Sequence, residues 1–363
     1  MSLNRNISCV CLAFKSAFWR PIVTSASRFP TSTAFPRSFG QIANMSTDLS
    51  TYKLNHTMMR VKDPKASIAF YQDNFGMKLI RQLDFPEAKF SLYFLAFDGE
   101  NAANKGLEWT AREGLIELTH NYGTENDPEY KVSSGNADPY RGFGHLCFSV
   151  DNIDLVCDTL LKNGVKFQKK LTDGRQKDIA FALDPDGYWV ELIWTRTPKT
   201  EGFTDMSGYR MNHTMIRITD PKKSLKFYQE VLGMKLLRTA EHAGAKFTLY
   251  FLGYNNDLNF VENSGEGVYN FEGMLELTWN WGTESDPDFK GYHNGNDEPQ
   301  GFGHLCVSVD DLDAACERFE KLGVTWKKRL TDGRMKNVAF ILDDDNYWVE
   351  IIQNEALKKN ANW

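Results

Sequence analysis

Four histidines and four glutamates set the chemistry open to this chain. In order they are His56, Glu117, His145, Glu191, His213, Glu276, His304 and Glu350. The pattern is written twice: His56 recurs 157 residues later as His213, and His145 recurs 159 residues later as His304. Two imidazoles with two carboxylates suit a divalent first-row ion that keeps positions open for water or substrate. Such an ion stabilises negative charge as a Lewis acid, while a nearby carboxylate can move protons. Each residue alone says less. A glutamate in an alternating strand such as Leu115-Ile116-Glu117-Leu118-Thr119 ordinarily faces solvent. A lone histidine such as His145, between Gly-Phe-Gly and Leu-Cys-Phe, is more often a satisfied core residue. Glu191 differs, because Tyr188-Trp189-Val190 and Leu192-Ile193-Trp194 place apolar residues on both faces of its strand, so its carboxylate needs a partner.

Holding these groups falls to a duplicated unit. Asn55-His56-Thr57-Met58-Met59-Arg60 matches Asn212-His213-Thr214-Met215-Ile216-Arg217, and Gly142-Phe143-Gly144-His145 matches Gly301-Phe302-Gly303-His304. The change of offset fits a small insertion before Glu276. A period this long is a repeated domain, not a solenoid. In the first copy, apolar and β-branched alternation predicts a strand over Leu54–Val61. Asp63-Pro64 reads as a helix start and Gly76 as its stop. Strands follow at Met77–Leu83, Phe90–Phe97 and Leu115–Asn121. The plan then repeats: a strand over Phe143–Val150, a helix capped by Asp151 and ended by Asn163-Gly164, then strands at Val165–Lys170, Ile179–Leu183 and Tyr188–Trp194. Asp184-Pro185-Asp186-Gly187 is a turn between the last two. The expectation is an α+β fold of four tandem βαβββ modules in two duplicated domains, 49–196 and 209–355, with a linker at 197–208 and a tail at 356–363. By strand parity His56 and Arg60 share a face, as do Glu117 and Asn121, so ligands and polar binding groups could line one concave surface.

Composition narrows the partners. The 363 residues are 42% hydrophobic and 25% charged, ordinary for a soluble globular protein. The net charge of −6 argues against nucleic acid. No apolar run approaches the ~20 residues of a membrane span. Residues 1–48 form a leader. Up to residue 47 it carries Arg5, Lys15, Arg20, Arg28 and Arg37 without an acid, the composition of a mitochondrial transit peptide. Met45 offers a second start, so a cytoplasmic form and a mitochondrial matrix form are both expected. Of six cysteines, Cys9 and Cys11 lie in the leader. Cys147, Cys157, Cys306 and Cys316 read as reduced thiols.

Five ordered motifs, each present twice, resemble glyoxalase I (lactoylglutathione lyase), most closely its fused two-domain fungal form. They are Asn-His-Thr-Met-x-Arg, Lys-Phe-[Ser/Thr]-Leu-Tyr-Phe-Leu, Glu-Leu-Thr-x-Asn, Gly-Phe-Gly-His and Tyr-Trp-Val-Glu. The resemblance covers about residues 54–352. It implies a vicinal-oxygen-chelate fold, with each metal site shared between halves of different domains. One site would be His56, Glu117, His304 and Glu350. The other would be His213, Glu276, His145 and Glu191. Residue spacing alone leaves pairing within each copy open. The resemblance implies isomerisation of the methylglyoxal–glutathione hemithioacetal to S-lactoylglutathione by proton transfer through an ene-diolate. It favours zinc over nickel. Glu350 and Glu191 are the expected bases, because their strands are the most apolar and burial raises a carboxylate pKa.

Glutathione is anionic, and the family positions for it fall on Arg60, Asn121, Lys328 and Met335 for one site. For the other they fall on Arg217, Asn280, Arg141 and Lys169. Gln300 of the second copy stands where the first has Arg141, and Gln176 of the first stands where the second has Met335, so the two sites are expected to differ in affinity. Two other activities of the fold compete. Ring-cleaving dioxygenation needs two histidines and one carboxylate on Fe(II). A metal-free binding module needs none of the eight residues. With two halves supplying each other's sites, the chain is expected to be a monomer.

Overall fold

The computed structural model describes residues 46–199 and 201–358. Nearly all of the leader, with Cys9, Cys11 and the transit-peptide residues, lies outside these, as do residues 359–363 of the tail. The first copy supplies β1 (Lys53–Val61), α1 (Pro64–Phe75), β2 (Lys78–Phe85), β3 (Phe90–Ala96) and β4 (Leu115–Asn121). It continues with β5 (Phe143–Val150), α2 (Ile153–Lys162), β6 (Phe167–Lys169), β7 (Ile179–Leu183) and β8 (Trp189–Trp194). The second copy supplies β9 (Arg210–Ile218), α3 (Pro221–Lys226), β10 (Lys235–His242), β11 (Phe247–Gly253) and β12 (Met274–Asn280). It ends with β13 (Phe302–Val309), α4 (Leu312–Leu322), β14 (Thr325–Lys328), β15 (Val338–Leu342) and β16 (Trp348–Gln353). These are four βαβββ modules.

The modules do not pair within a copy. One eight-stranded sheet runs β14-β15-β16-β13-β1-β4-β3-β2, and the other runs β10-β11-β12-β9-β5-β8-β7-β6. Each sheet therefore joins the first module of one copy to the second module of the other. The seam is antiparallel, β1 on β13 and β5 on β9, while β4 and β16 run parallel to their neighbours β1 and β13.

Local chemistry explains most element ends. The Asp63 carboxylate accepts from the Lys65 amide and Pro64 opens α1; Gly76 closes it at φ 73°. The helix of the second module is capped by Asn152, not Asp151. Asp151 is occupied elsewhere, accepting from the Thr204 hydroxyl at 2.5 Å and the Asp205 amide at 2.9 Å. Thr47 and Asp48 hold Asp310 in the same way. The matched contacts of the two copies thus reach back to Thr47 and Thr204, the latter inside the expected linker. The sixth strand is shorter than expected, three residues at Phe167–Lys169. The Asp184–Gly187 turn closes with an amide-to-carbonyl bond of 3.1 Å, and in the second copy Asn346 takes the place of Gly187 at φ 64°. That turn also ties modules of one copy together, since Tyr71 donates to Asp184 at 3.0 Å and Tyr228 to Asp343 at 2.8 Å.

Between the sheets the two copies meet around a near-twofold axis. Phe143 and Phe302 stack with centroids 5.1 Å apart, and the hydroxyls of Thr57 and Thr214 are 2.5 Å apart. Gly142 and Gly301 must be glycine, because a Cβ there would sit 1.9 Å from the carbonyl oxygens of His293 and Ser133. Cys147, Cys157, Cys306 and Cys316 are free thiols.

Two carboxylates flank the same axis, Glu272 buried and Glu113 with its side chain 17% exposed. Glu113 and Glu272 each leave one oxygen without a hydrogen-bond partner. Burial pushes Glu113 up to about 7 and Glu272 up to about 8. Folded-state values above the unfolded one mean that the fold binds these protons more tightly. The stability they contribute is full below about pH 4.5 and is lost as pH rises through 7 and 8. Glu272→Gln should therefore raise unfolding free energy by roughly 1–4 kcal/mol at pH 8.5 and change little at pH 5. Urea unfolding of wild type and variant at both pH values measures it.

Candidate active site

The crossed sheets bring the eight residues together in two groups. His56, Glu117, His304 and Glu350 form one, and His145, Glu191, His213 and Glu276 form the other; within each, the facing atoms all lie within 4.8 Å of one another. These are the sets implied by the resemblance, and the pairing within a copy is not the one that forms. Register accounts for it. His56 and Glu350 share a row through Cys306, and His304 and Glu117 share the next row through Met58. Rows two residues apart point to the same face. Gly303 and Gly144 make room, since a Cβ there would meet the sulfurs of Met58 and Met215 at 2.2 and 2.3 Å.

In the first cluster His56 Nε2 lies 2.9 Å from Glu117, 3.3 Å from Glu350 and 3.2 Å from His304 Nε2. In the second, His213 Nε2 lies 3.0 Å from Glu276, 3.2 Å from Glu191 and 3.3 Å from His145 Nε2. Every imidazole is edged by a phenylalanine, Phe94, Phe181, Phe251 or Phe340.

Hydrogen bonds fix the tautomer of one histidine in each cluster. The Asn55 amide nitrogen donates to the carbonyls of Trp109 and Arg112, which turns its oxygen to His56 Nδ1 at 2.7 Å. Asn212 does the same for His213 through Val268 and Phe271. Nδ1 therefore carries the proton and Nε2 aims its lone pair at two carboxylates. A set of acceptors facing one another at about 3 Å fits a cation between them. The asparagines stand in the repeated motif yet give no ligand signal of their own; adjacency to the histidine is the only clue. Asn55→Ala should weaken metal binding at the first cluster about 10–100-fold and leave the second unchanged. Competition with a chromogenic chelator, which would show two steps of metal release, measures it.

The glutamates are not equivalent. Thr119 donates to Glu117 at 2.9 Å and Thr278 to Glu276 at 3.0 Å. The matching places beside Glu191 and Glu350 are Ile193 and Ile352, which offer no such bond. The expectation that Glu350 and Glu191 are the most desolvated is overturned. The Glu350 side chain is 14% exposed against 4% for Glu117, and Glu191 is 9% exposed against 5% for Glu276. Their apolar strand neighbours point to the opposite face and do not cover them. Burial does push both carboxyls up, but the paired imidazoles outweigh it and hold them well below the usual range.

The expected glutathione residues are placed in two ways. Arg60 and Arg217 are buried and donate to loop carbonyls, Arg60 to Gly295, Gly301 and Phe302, Arg217 to Gly135, Gly142 and Phe143. Lys328 and Lys169 donate to the carbonyls of Val338 and Ile179 and shape the loops before β15 and β7. Asn280 bonds the Tyr292 hydroxyl, Asn121 ends β4, and Met335 and Arg141 are exposed. A cavity of about 160 Å³ opens on Glu191, His213 and Glu276. None of Arg217, Asn280, Arg141 and Lys169 lines it; its arginines are Arg196 and Arg238, neither of them among the expected glutathione residues.

A family model for the Glyoxalase/Bleomycin resistance protein/Dioxygenase superfamily matches residues 53–192 and 210–351, which hold all eight histidines and glutamates. The chain is 54% identical over 318 residues to a Saccharomyces cerevisiae protein named Glyoxalase I, covering 86% of this chain and 95% of that one. It belongs to the glyoxalase I family. A Schizosaccharomyces pombe lactoylglutathione lyase is 53% identical over 311 residues, 85% of this chain and 99% of that one. The crystal structure of glyoxalase I from Zea mays superposes with a TM-score of 0.59 at 27% identity, covering 84% of this chain and 92% of that chain. The glyoxalase I fold thus accounts for the four modules and the two crossed sheets.

Proposed function

We propose that the chain is a lactoylglutathione lyase that isomerises the hemithioacetal of methylglyoxal and glutathione to S-lactoylglutathione, detoxifying the aldehyde. The observation that carries this is a match at 54% identity to a Glyoxalase I along nearly the whole chain, in which two four-residue clusters of acceptor atoms converge. Each cluster would hold one divalent ion, for which we favour zinc, and the ion supplies Lewis-acid stabilisation of oxyanion charge. Glu350 in the first site and Glu191 in the second take the proton from the carbon bearing sulfur and hydroxyl. They return it to the adjacent, former carbonyl carbon, while the hydroxyl proton passes between the two oxygens. Isoleucine instead of threonine two residues on leaves these two carboxylates free to turn toward substrate. A pair of histidines with a pair of carboxylates argues against Fe(II) ring cleavage, which needs one carboxylate and three open positions.

A spectrophotometric assay of thioester formation from methylglyoxal and glutathione tests the activity. No thioester from metal-replete protein would overturn it. Elemental analysis decides between zinc, nickel and iron. Completion of both clusters within one chain supports a monomer with two active sites, and sedimentation giving a dimer would contradict this. The basic, acid-free leader supports a mitochondrial form, and Met45 a cytoplasmic one; imaging of chains starting at Met1 and at Met45 separates them.

A further inference from the structure

The two clusters are near copies, but the walls beside them are not. Strand register and the asparagine bonds give the correspondence. Val268 and Trp109 both offer the carbonyl taken by the asparagine next to the histidine. They are therefore the same place in the two sites. Beside the second cluster Val268 borders the cavity of about 160 Å³, together with Ala240, Leu249, Phe251 and Met274. Beside the first, the Trp109 indole fills that place. Its ring lies 4.7 Å from Phe94, and it packs at once against the Phe94–Leu115 group and the Val338–Ile352 group. Leu83 adds bulk where the second site has Ala240, each lying opposite a matched leucine, Leu92 or Leu249.

Charge diverges at the same wall. Tyr269 follows Val268, and its hydroxyl accepts from Arg238 at 2.9 Å. The Arg196 guanidinium lies 4.7 Å from the Tyr269 ring. Asp178 takes up part of the Arg196 charge at 3.5 Å, but Arg238 has no carboxylate partner among the described residues. In the first site the tyrosine is replaced by Thr110, whose hydroxyl accepts from the Glu355 amide. Glu355 stands at the chain position of Arg196, two residues past the strand end. The arginine matching Arg238 is Arg81, which is exposed. The second rim holds Arg238 on Tyr269 beside Arg196, which Asp178 partly offsets; the first has Arg81 exposed with threonine in place of that tyrosine, and Glu355, which pairs with Lys358 at 3.2 Å.

We propose that the two sites divide their aldehydes by the size and charge of the substituent. The second takes glutathione adducts of longer 2-oxoaldehydes ending in a carboxylate. The first is held by Trp109 and Glu355 to small uncharged ones. This rests on the lyase reading above. A longer substituent would meet the indole in the first site and an open wall in the second, and its carboxylate would reach Arg238 as a charge-assisted partner. The steric and electrostatic differences act in the same direction.

Titration calorimetry of metal-loaded protein with unreactive S-substituted glutathiones tests it. S-methylglutathione should fill two sites and S-carboxybutylglutathione one. Val268→Trp should abolish the second ligand's site, and Trp109→Val should let neutral S-pentylglutathione fill both. Arg238→Met should weaken S-carboxybutylglutathione about tenfold and leave S-pentylglutathione unchanged. Equal filling of both sites by the acidic ligand overturns the proposal. So does an Arg238→Met loss shared equally by S-methylglutathione, which would mean that the arginine holds glutathione's own carboxylate. If the methylglyoxal adduct is turned over while these ligands fail to discriminate, only this inference falls. If that adduct is not turned over, the lyase reading falls with it.

Discussion

The double variant Glu191→Gln/Glu350→Gln should lose about 10³-fold in kcat/KM for the methylglyoxal adduct, while each single variant keeps one working site. A positioned general base contributes about 10²–10⁴-fold, and glutamine keeps the shape and an oxygen for a metal but cannot take a proton. The choice of these two glutamates over Glu117 and Glu276 rests on how each is held. Thr119 and Thr278 pin the latter from two residues along the strand, so those carboxylates are fixed in place. Glu191 and Glu350 lack that bond and are the more exposed of each pair. Thr119→Val, by contrast, touches only positioning. Full activity surviving in the double variant would sink the assignment.

The two single variants should also differ from each other in KM. Gln300, at the rim of the first site, spends its amide on the Asn296 carbonyl at 3.0 Å, whereas the matching Arg141 is exposed and charged. From that position a charge-assisted contact to glutathione is open to the second site only. Identical residual kinetics in Glu191→Gln and Glu350→Gln would count against this difference.

What could be read from the sequence follows the range of the forces involved. Asp63-Pro64 and Gly76 bound α1 because caps act over three residues. The choice between Asp151 and Asn152 was not local, since contacts from Thr204 and Asp205, more than fifty residues away, claim Asp151 and leave the cap to Asn152. Pairing of β1 with β13 rather than β5 is invisible to periodicity, because both candidates carry the same Gly-Phe-Gly-His run; only the resemblance pointed to it. Apolar neighbours misled on Glu350, as alternation sends Val349 and Ile351 to the far face. Arg196 escaped for the opposite reason. Motifs shared by both copies direct attention to what is the same, and Arg196 and Tyr269 matter because Glu355 and Thr110 are not. Reading the repeat for its differences would have found them.

Metal removal should have the largest effect on the molecule as a whole. Stripping the protein with a chelator should release two ions per chain, abolish turnover and lower the thermal midpoint, and adding back zinc should restore all three. In each cluster two carboxylates face two imidazole nitrogens, at 2.9–3.8 Å in the first and 3.0–3.9 Å in the second, with the Nδ1 proton of His56 and of His213 committed to an asparagine. Without a cation the carboxylates must draw protons onto the rings. Burial opposes the charged imidazole, yet the flanking carboxylates still raise His213 and His304 to about 9. That substitute leaves buried charge held by fewer bonds than an ion would make. The ion also joins distant chain. In the first cluster it ties β1 and β4 to β13 and β16, the first quarter of the fold to the last. At free metal 1,000 times its dissociation constant each site would add about 4 kcal/mol. His56→Ala should remove one of the two ions and about half of the metal-dependent rise in midpoint, whereas a rise unchanged in that variant would mean that the four residues do not hold a metal.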